Sequence, residues 1–263
     1  MKVALILQRF DIRRGGAERS TYEMACALAH RGAEVTVAAP VVRRDDAASI
    51  PFACQTLALP HGGAYLSRLN RAVENLRRDG GYDIIHSMLP VSVADVYQPR
   101  GGSVLHSSLR HAASFGRRAW WKRLTGRFNR SRGRQIKAER KLCKAANGPV
   151  IAALSDYVRG QYCDDYHIDK QRVRVVLNGV DVMRFRCDSA RREGRHLRQL
   201  FDRHGDKTLL LFAAENLRLK GLGPLLTAME QIPKSHNLCV LVVSGANYLS
   251  LIHISEPTRL RRI

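Results

Sequence analysis

Gly15 and Gly16 stand where a short apolar strand gives way to a helix, a placement suited to cradling a phosphate or a sugar. Free N–H groups and the dipole at a helix N-terminus favour an anion, and residues without side chains leave its approach open. The pair is not the dinucleotide fingerprint, because G-x-G-x-x-G is absent. On its own it also fits a simple tight turn. A second constellation lies at residues 110–144, which hold thirteen basic residues and a single acid, Glu139. Trp120, Trp121, Leu124 and Phe128 are interleaved with Arg123, Arg127 and their neighbours, and Trp121, Leu124 and Phe128 fall at helical spacing. Three roles fit that pattern: an interfacial helix on anionic lipid, a grip on single-stranded nucleic acid, or a helix that packs its aromatics inward and solvates its charges.

The elements that must position these residues follow from periodicity. Residues 2–8 form an apolar run suited to a buried parallel strand. From Ala17 to Arg31 the residues Tyr22, Ala25, Cys26 and Ala29 recur at helical spacing, Gly32 suits a left-handed closure, and residues 34–39 read as the next strand. Further strands are expected at 82–87, 149–155 and 173–177, with a helix over 156–166 and a turn at Asn178-Gly179-Val180-Asp181. A charged stretch from Cys187 to Asp206 reads as a helix and linker. A strand at 207–214, a helix at 222–231 and a strand at 238–243 then open a second doubly wound domain. The expected organisation is α/β: an N-terminal Rossmann-like domain over 1–186 and the start of a second over 187–248. Residues 249–263 resemble a translated sequencing adaptor and are set aside.

Composition narrows the class. The chain of 263 residues is 45% hydrophobic, and no apolar stretch approaches the ~20 residues of a membrane span. It opens without a signal-peptide pattern, which points to the cytoplasm. Six scattered cysteines, with no C-x-x-C pair and no histidine at metal spacing, read as reduced thiols. The net charge of +21 calls for an anionic partner: nucleotide phosphates, nucleic acid or an anionic membrane face.

Four stretches, taken in order, resemble the retaining GT-B glycosyltransferases of family 4: Gly15-Gly16-Ala17-Glu18-Arg19; residues 153–158; residues 176–181 with Phe185 beyond; and residues 211–222. Residues 94–97 and the basic stretch after them look most like the enzymes that glucosylate the inner-core heptose of lipopolysaccharide. The resemblance implies two facing Rossmann-like domains, the acceptor held mainly by the first and the nucleotide-sugar mainly by the second. It also implies retention of configuration, no cofactor and no metal. Fixed cations must then stabilise the departing diphosphate. Lys220 matches the family's lysine; the family's arginine position holds Ala214, and Arg218 is the substitute. Gly15, Gly16, Asn216, Asn178 and Asp181 are expected on the donor, and Gln98, Arg100 and Gly101 on a glycan or glycolipid acceptor. His86 and His106 lie near in sequence and read as structural. Trp120, Trp121, Arg123, Arg127 and Phe128 are expected at the membrane, placing the protein peripherally on the inner face of the cytoplasmic membrane with no nucleic acid bound. The family's E-x7-E donor motif falls beyond residue 248, so this chain is expected not to turn over by itself, and its incomplete second sheet to expose an apolar edge. A basic nucleic-acid-binding protein on the same scaffold and a nucleotide-sugar epimerase are the alternatives.

Overall fold

Val3 and Leu5 pack on one side of the first strand, with Leu7 just beyond its end, and Ala4 and Ile6 pack on the other, and all five are buried. A strand apolar on both faces must lie inside a sheet covered by helices on each side. The computed structural model describes residues 1–12, 16–43, 50–116, 129–180, 182–185, 188–202, 204–214 and 216–243. The chain divides into two units, Met1–Gly179 and Val180–Ile263.

The first unit runs β1 (Lys2–Ile6), β2 (Phe10–Asp11), α1 (Gly16–His30), β3 (Glu34–Ala39), β4 (Val42–Arg43), β5 (Ala53–Thr56), α2 (Tyr65–Gly80), β6 (Ile84–Ser87), β7 (Val96–Tyr97), α3 (Val104–Ala113), α4 (Arg130–Lys144), β8 (Val150–Ala153), α5 (Asp156–Tyr166) and β9 (Val173–Val175). Seven of these strands form one sheet in the order β5-β3-β1-β6-β7-β8-β9. Every pairing in it is parallel, so all C-terminal strand ends share one edge. The order reverses between β1 and β6, and in a doubly wound sheet the ligand crevice opens at that edge, at that point. The small β2–β4 pair is parallel as well.

Three apolar clusters hold the layers. Val3, Leu5, Val35 and Val37 pack with Ala25 of α1 on one face. Ala4, Ile6, Ala38 and Ile85 pack on the other with Leu69, Val73 and Leu76 of α2, whose spacing of four, three and the seven that results is that of one helical face. The third cluster joins Tyr97, Ile151 and Val173 to Leu142 and Cys143 of α4 and to Val158, Tyr162 and Tyr166 of α5. Helix ends follow their local chemistry. Gly32 takes φ +85° after α1, as its position predicts. Ser155 caps α5 by accepting from the Val158 N–H, and Ser103 caps α3 by accepting from that of His106.

The second unit contains α6 (Val182–Phe185), α7 (Asp188–Phe201), β10 (Thr208–Ala213), α8 (Leu222–Glu230) and β11 (Leu238–Val243). β10 and β11 pair in parallel, as a strand-helix-strand unit requires. None of their residues is buried, and Leu211 and Val243 are 69% and 51% exposed. The apolar exposure expected of this sheet is therefore present. No helix among the described residues is long and apolar enough to cross a membrane. Cys26, Cys143, Cys163 and Cys239 are free thiols.

Candidate functional site

In the first unit the C-terminal edge of the sheet gathers three of the expected groups. Gly16 begins α1, and a Cβ built there would meet nothing within 4 Å. Gln98 and Arg100 follow β7. Arg100 reaches back to α1, donating from Nη1 to the Ser20 hydroxyl and from Nη2 to the Thr21 hydroxyl at 2.6 Å. Thr21, 1% exposed, completes its own bonding by donating to the Ala17 carbonyl at 2.9 Å. Burial pushes the Arg100 guanidinium below its usual range, and the Glu18 carboxylate opposes that shift. Its Nε is buried and has no hydrogen-bond partner among the described residues. A cation with an unmet donor therefore sits against the first turns of the helix whose N-terminus favours anions.

Half-buried His86 and buried Gln98 form a pair beside this cation. His86 Nε2 lies 3.1 Å from Gln98 Oε1, a contact the neutral imidazole makes with its proton on Nε2. Desolvation lowers the imidazole to about 4; the Gln98 bond resists the shift and Arg100 reinforces it. His86 is thus a neutral donor that orients Gln98, which agrees with a structural role. Gln98 is 4% exposed, and its backbone N–H bonds the Ser87 carbonyl at 2.8 Å.

Gly101 has open space where a side chain would project. Its neighbour Gly102 does not: it adopts φ +80°, and a Cβ there would collide with Gln161 Oε1. Only glycine meets both demands. The same Gln161 oxygen accepts from Ser103 N at 3.0 Å, and Asp165 accepts from the Ser103 hydroxyl at 2.7 Å.

The residue that sequence reasoning passes over is Glu139. It is the lone acid of the basic segment, and it is fully buried. Its carboxylate accepts from the hydroxyls of Tyr97 (2.9 Å), Tyr162 (2.5 Å) and Tyr166 (2.6 Å) and from Val104 N (2.8 Å). One oxygen pair thereby ties α4, β7, α5 and the start of α3 together. Tyr97 and Val104 flank the loop carrying Gln98 and Arg100, so the carboxylate fixes both ends of that loop. Burial, then the neighbouring Glu139 charge, raises the Tyr97 hydroxyl well above its ordinary range. A signal for this network exists in the sequence: Glu139, Leu142 and Cys143 share one helical face, and the last two are core residues.

In the second unit, β10 leads through a tight turn into α8. Asn216 Oδ1 accepts from Leu219 N, and the Asn216 carbonyl from Lys220 N, both at 3.1 Å. Gly221 closes the turn at φ +91°. Asn216 therefore shapes the turn, and Arg218 and Lys220 stand exposed on it. Asn178 is exposed after β9. Gly15, Asp181, Trp120, Trp121, Arg123, Arg127 and Phe128 lie outside the described residues. The flanking cations Arg130, Arg134, Arg140 and Lys144 of α4 are exposed.

Among solved structures the chain is similar to WaaG, a glycosyltransferase involved in lipopolysaccharide biosynthesis, with 19% identity and a TM-score of 0.69 over 91% of this chain and 62% of that one. Anabaena Alr3699/HepE in complex with UDP and glucose matches with 16% identity and a TM-score of 0.56 over 92% of this chain and 60% of that one. A glycosyltransferase from Rickettsia africae matches with 11% identity and a TM-score of 0.50, over 93% and 68%. The chain spans about six tenths of the length of the first two. These likenesses establish the GT-B type of fold expected from the sequence. No curated protein matches the chain. The model of Glycosyltransferase Family 4 matches residues 14–184, well over half of the chain, and the chain belongs to that family.

Proposed function

We propose that the protein moves a hexose from a nucleoside-diphosphate sugar to a cell-envelope glycan or glycolipid, with retention of anomeric configuration and without a metal. The observation that carries the reading is Arg100, bound by Ser20 and Thr21 and left with an unmet Nε beside the N-terminal turns of α1. That preorganised cation suits an anionic or phosphorylated acceptor, while the negative charge that grows on the diphosphate as the sugar bond breaks calls for other fixed positive groups. Gly15 and Gly16 close the backbone over the donor, and Gln98, Arg100 and Gly101 meet the acceptor. Arg218 and Lys220, on the turn before α8, supply charge to the leaving group, with Asn216, Asn178 and Asp181 lining the donor side. The complexes of HepE with UDP and with UDP-glucose support a nucleotide-sugar donor. The likeness to WaaG supports a lipopolysaccharide acceptor. The exposed cations of α4 support attachment to an anionic inner membrane face, with Trp120, Trp121, Arg123, Arg127 and Phe128 in contact. Because the chain spans about six tenths of the length of WaaG and HepE, this reading assigns turnover to a full-length product of their size rather than to the 263 residues by themselves.

The test incubates the chain and the full-length product with labelled nucleotide-sugars and cell-envelope lipid. Label should pass to lipid with the full-length product only. Interconversion of the free nucleotide-sugar without transfer would mark an epimerase. No sugar chemistry, with nucleic-acid affinity falling steeply with salt, would mark a nucleic-acid-binding protein.

A further inference from the structure

The outer faces of α3 and α5 meet in a cluster that the site above does not use. The Arg110 guanidinium lies over the Tyr157 ring, 5.0 Å from its centroid. His106 Nε2 lies 2.9 Å from the Tyr157 hydroxyl, with the two rings perpendicular at 84°. Tyr157 remains 52% exposed. Its place on the fold matters. Ser155 caps α5 just beyond the end of β8, so the first turn of α5 stands at the same sheet edge as Gln98 and Arg100.

A guanidinium held over an aromatic ring makes no hydrogen bond to the ring carbons, and its planar fork of N–H donors is suited to an oxyanion. With His106 donating to the Tyr157 oxygen, the Tyr157 hydroxyl can donate to the same acceptor. Asp156, the adjacent acid, is already paired with Arg159 at 2.7 Å. The cluster is also held rigidly. Ser103 bonds Gln161 and Asp165 of α5, and Val104 bonds Glu139 of α4, so the start of α3 is tied to both helices before His106 and Arg110 emerge. A preorganised set of donors loses little entropy on binding.

We propose that Arg110, Tyr157 and His106 form a second anion subsite, which takes a phosphoryl group carried on the sugar acceptor. The identity of the carrier rests on the sugar-transfer reading; the anion subsite does not. It lies on the acceptor-side unit and is separate from the Arg100 cation.

The experiment follows the His106 imidazole resonances of the 263-residue chain during titration with glucose 6-phosphate, glucose, and phosphatidylglycerol vesicles. Glucose 6-phosphate should give a saturable shift and glucose none. Arg110→Gln should raise the half-saturation point roughly tenfold, and Arg110→Lys, which keeps the charge and loses the flat fork, by a smaller factor. An equal response to glucose, no response to glucose 6-phosphate, or an unchanged midpoint in Arg110→Gln would overturn the subsite. A response to vesicles alone would also overturn it and assign the cluster to lipid. Titration of the full-length product with UDP-glucose reads the other question independently. Sugar-phosphate binding without UDP-glucose binding removes the transferase reading and keeps the subsite, and the converse removes only the subsite.

Discussion

Arg100 donates from Nη2 to the Thr21 hydroxyl at 2.6 Å, which joins the loop after β7 to the first helix across 79 residues of sequence. Thr21→Val keeps the shape and removes the acceptor. It should cost the first unit about 1–2 kcal/mol, because a half-buried charged donor loses one of its partners. Thr21→Ser keeps the hydroxyl and should recover most of that loss. Urea unfolding of the three proteins measures both.

The tyrosines around Glu139 predict alkaline fragility. Burial, then Glu139, raises Tyr97 and Tyr166 well above their ordinary value; for Tyr162, burial, then Tyr97 and Glu139, does the same. The folded chain keeps protons that the unfolded chain releases above about pH 10. Stability is therefore complete below that pH and falls as pH rises past it, by about 1.4 kcal/mol per pH unit for each tyrosine. Burial pushes the Cys143 thiol from 9.0 to about 12, which adds a loss that begins near pH 9. Tyr166→Phe should make the fall above pH 10 shallower by roughly one tyrosine's share. Thermal melts between pH 8 and 11 provide the comparison.

His86 predicts the opposite behaviour in acid. Its folded value is about 4, against 6.5 for the free side chain, mainly through desolvation. Between those values the unfolded chain binds the extra proton. Stability is complete above about pH 6.5 and is lost progressively as pH falls toward 4, by about 3 kcal/mol at most. The imidazole should remain neutral by NMR at pH 5.5, and His86→Gln should flatten the acid limb of the stability curve. A His86 resonance that titrates near 6.5 would contradict the assignment.

Gly102 combines a left-handed backbone with close approach to Gln161. Gly102→Ala should destabilise by more than about 2 kcal/mol, part from backbone strain and part from the collision. Adding Gln161→Ala removes the collision and leaves the strain. The double variant should thus lose less than the sum of the singles, which a double-mutant cycle reads directly.

Much of the frame was legible because periodicity and punctuation agree. The strands at 34–39 and 238–243 and the helix at 156–166 occur with the bounds that their apolar spacing predicts. The first strand ends at Ile6, two residues short of the apolar run, since Leu7 and Gln8 already belong to the loop. Helix α2 lies outside the expected elements, although Leu69, Ala72, Val73 and Leu76 form a buried face at helical spacing. Strands β5 and β7 are too short and too mixed in polarity to announce themselves. The site was legible in its residue types and less so in its partners. Arg100 and Gln98 stood out, but Ser20, Thr21 and His86 meet them only through the sheet. Glu139 reads as one acid in a cationic helix, and its tyrosines lie 42, 23 and 27 residues away. Spacing along α4 marks Glu139 as facing the core, but its partners are set by tertiary packing, which one element does not encode.

The most direct test is the anomeric configuration of the product formed by the full-length protein from an α-linked nucleoside-diphosphate hexose, read by proton NMR alongside a Lys220→Ala variant. The account predicts an α-linked product from the unaltered protein and a rate at least about tenfold lower from the variant. A β-linked product, or an equal rate without Lys220, would contradict it.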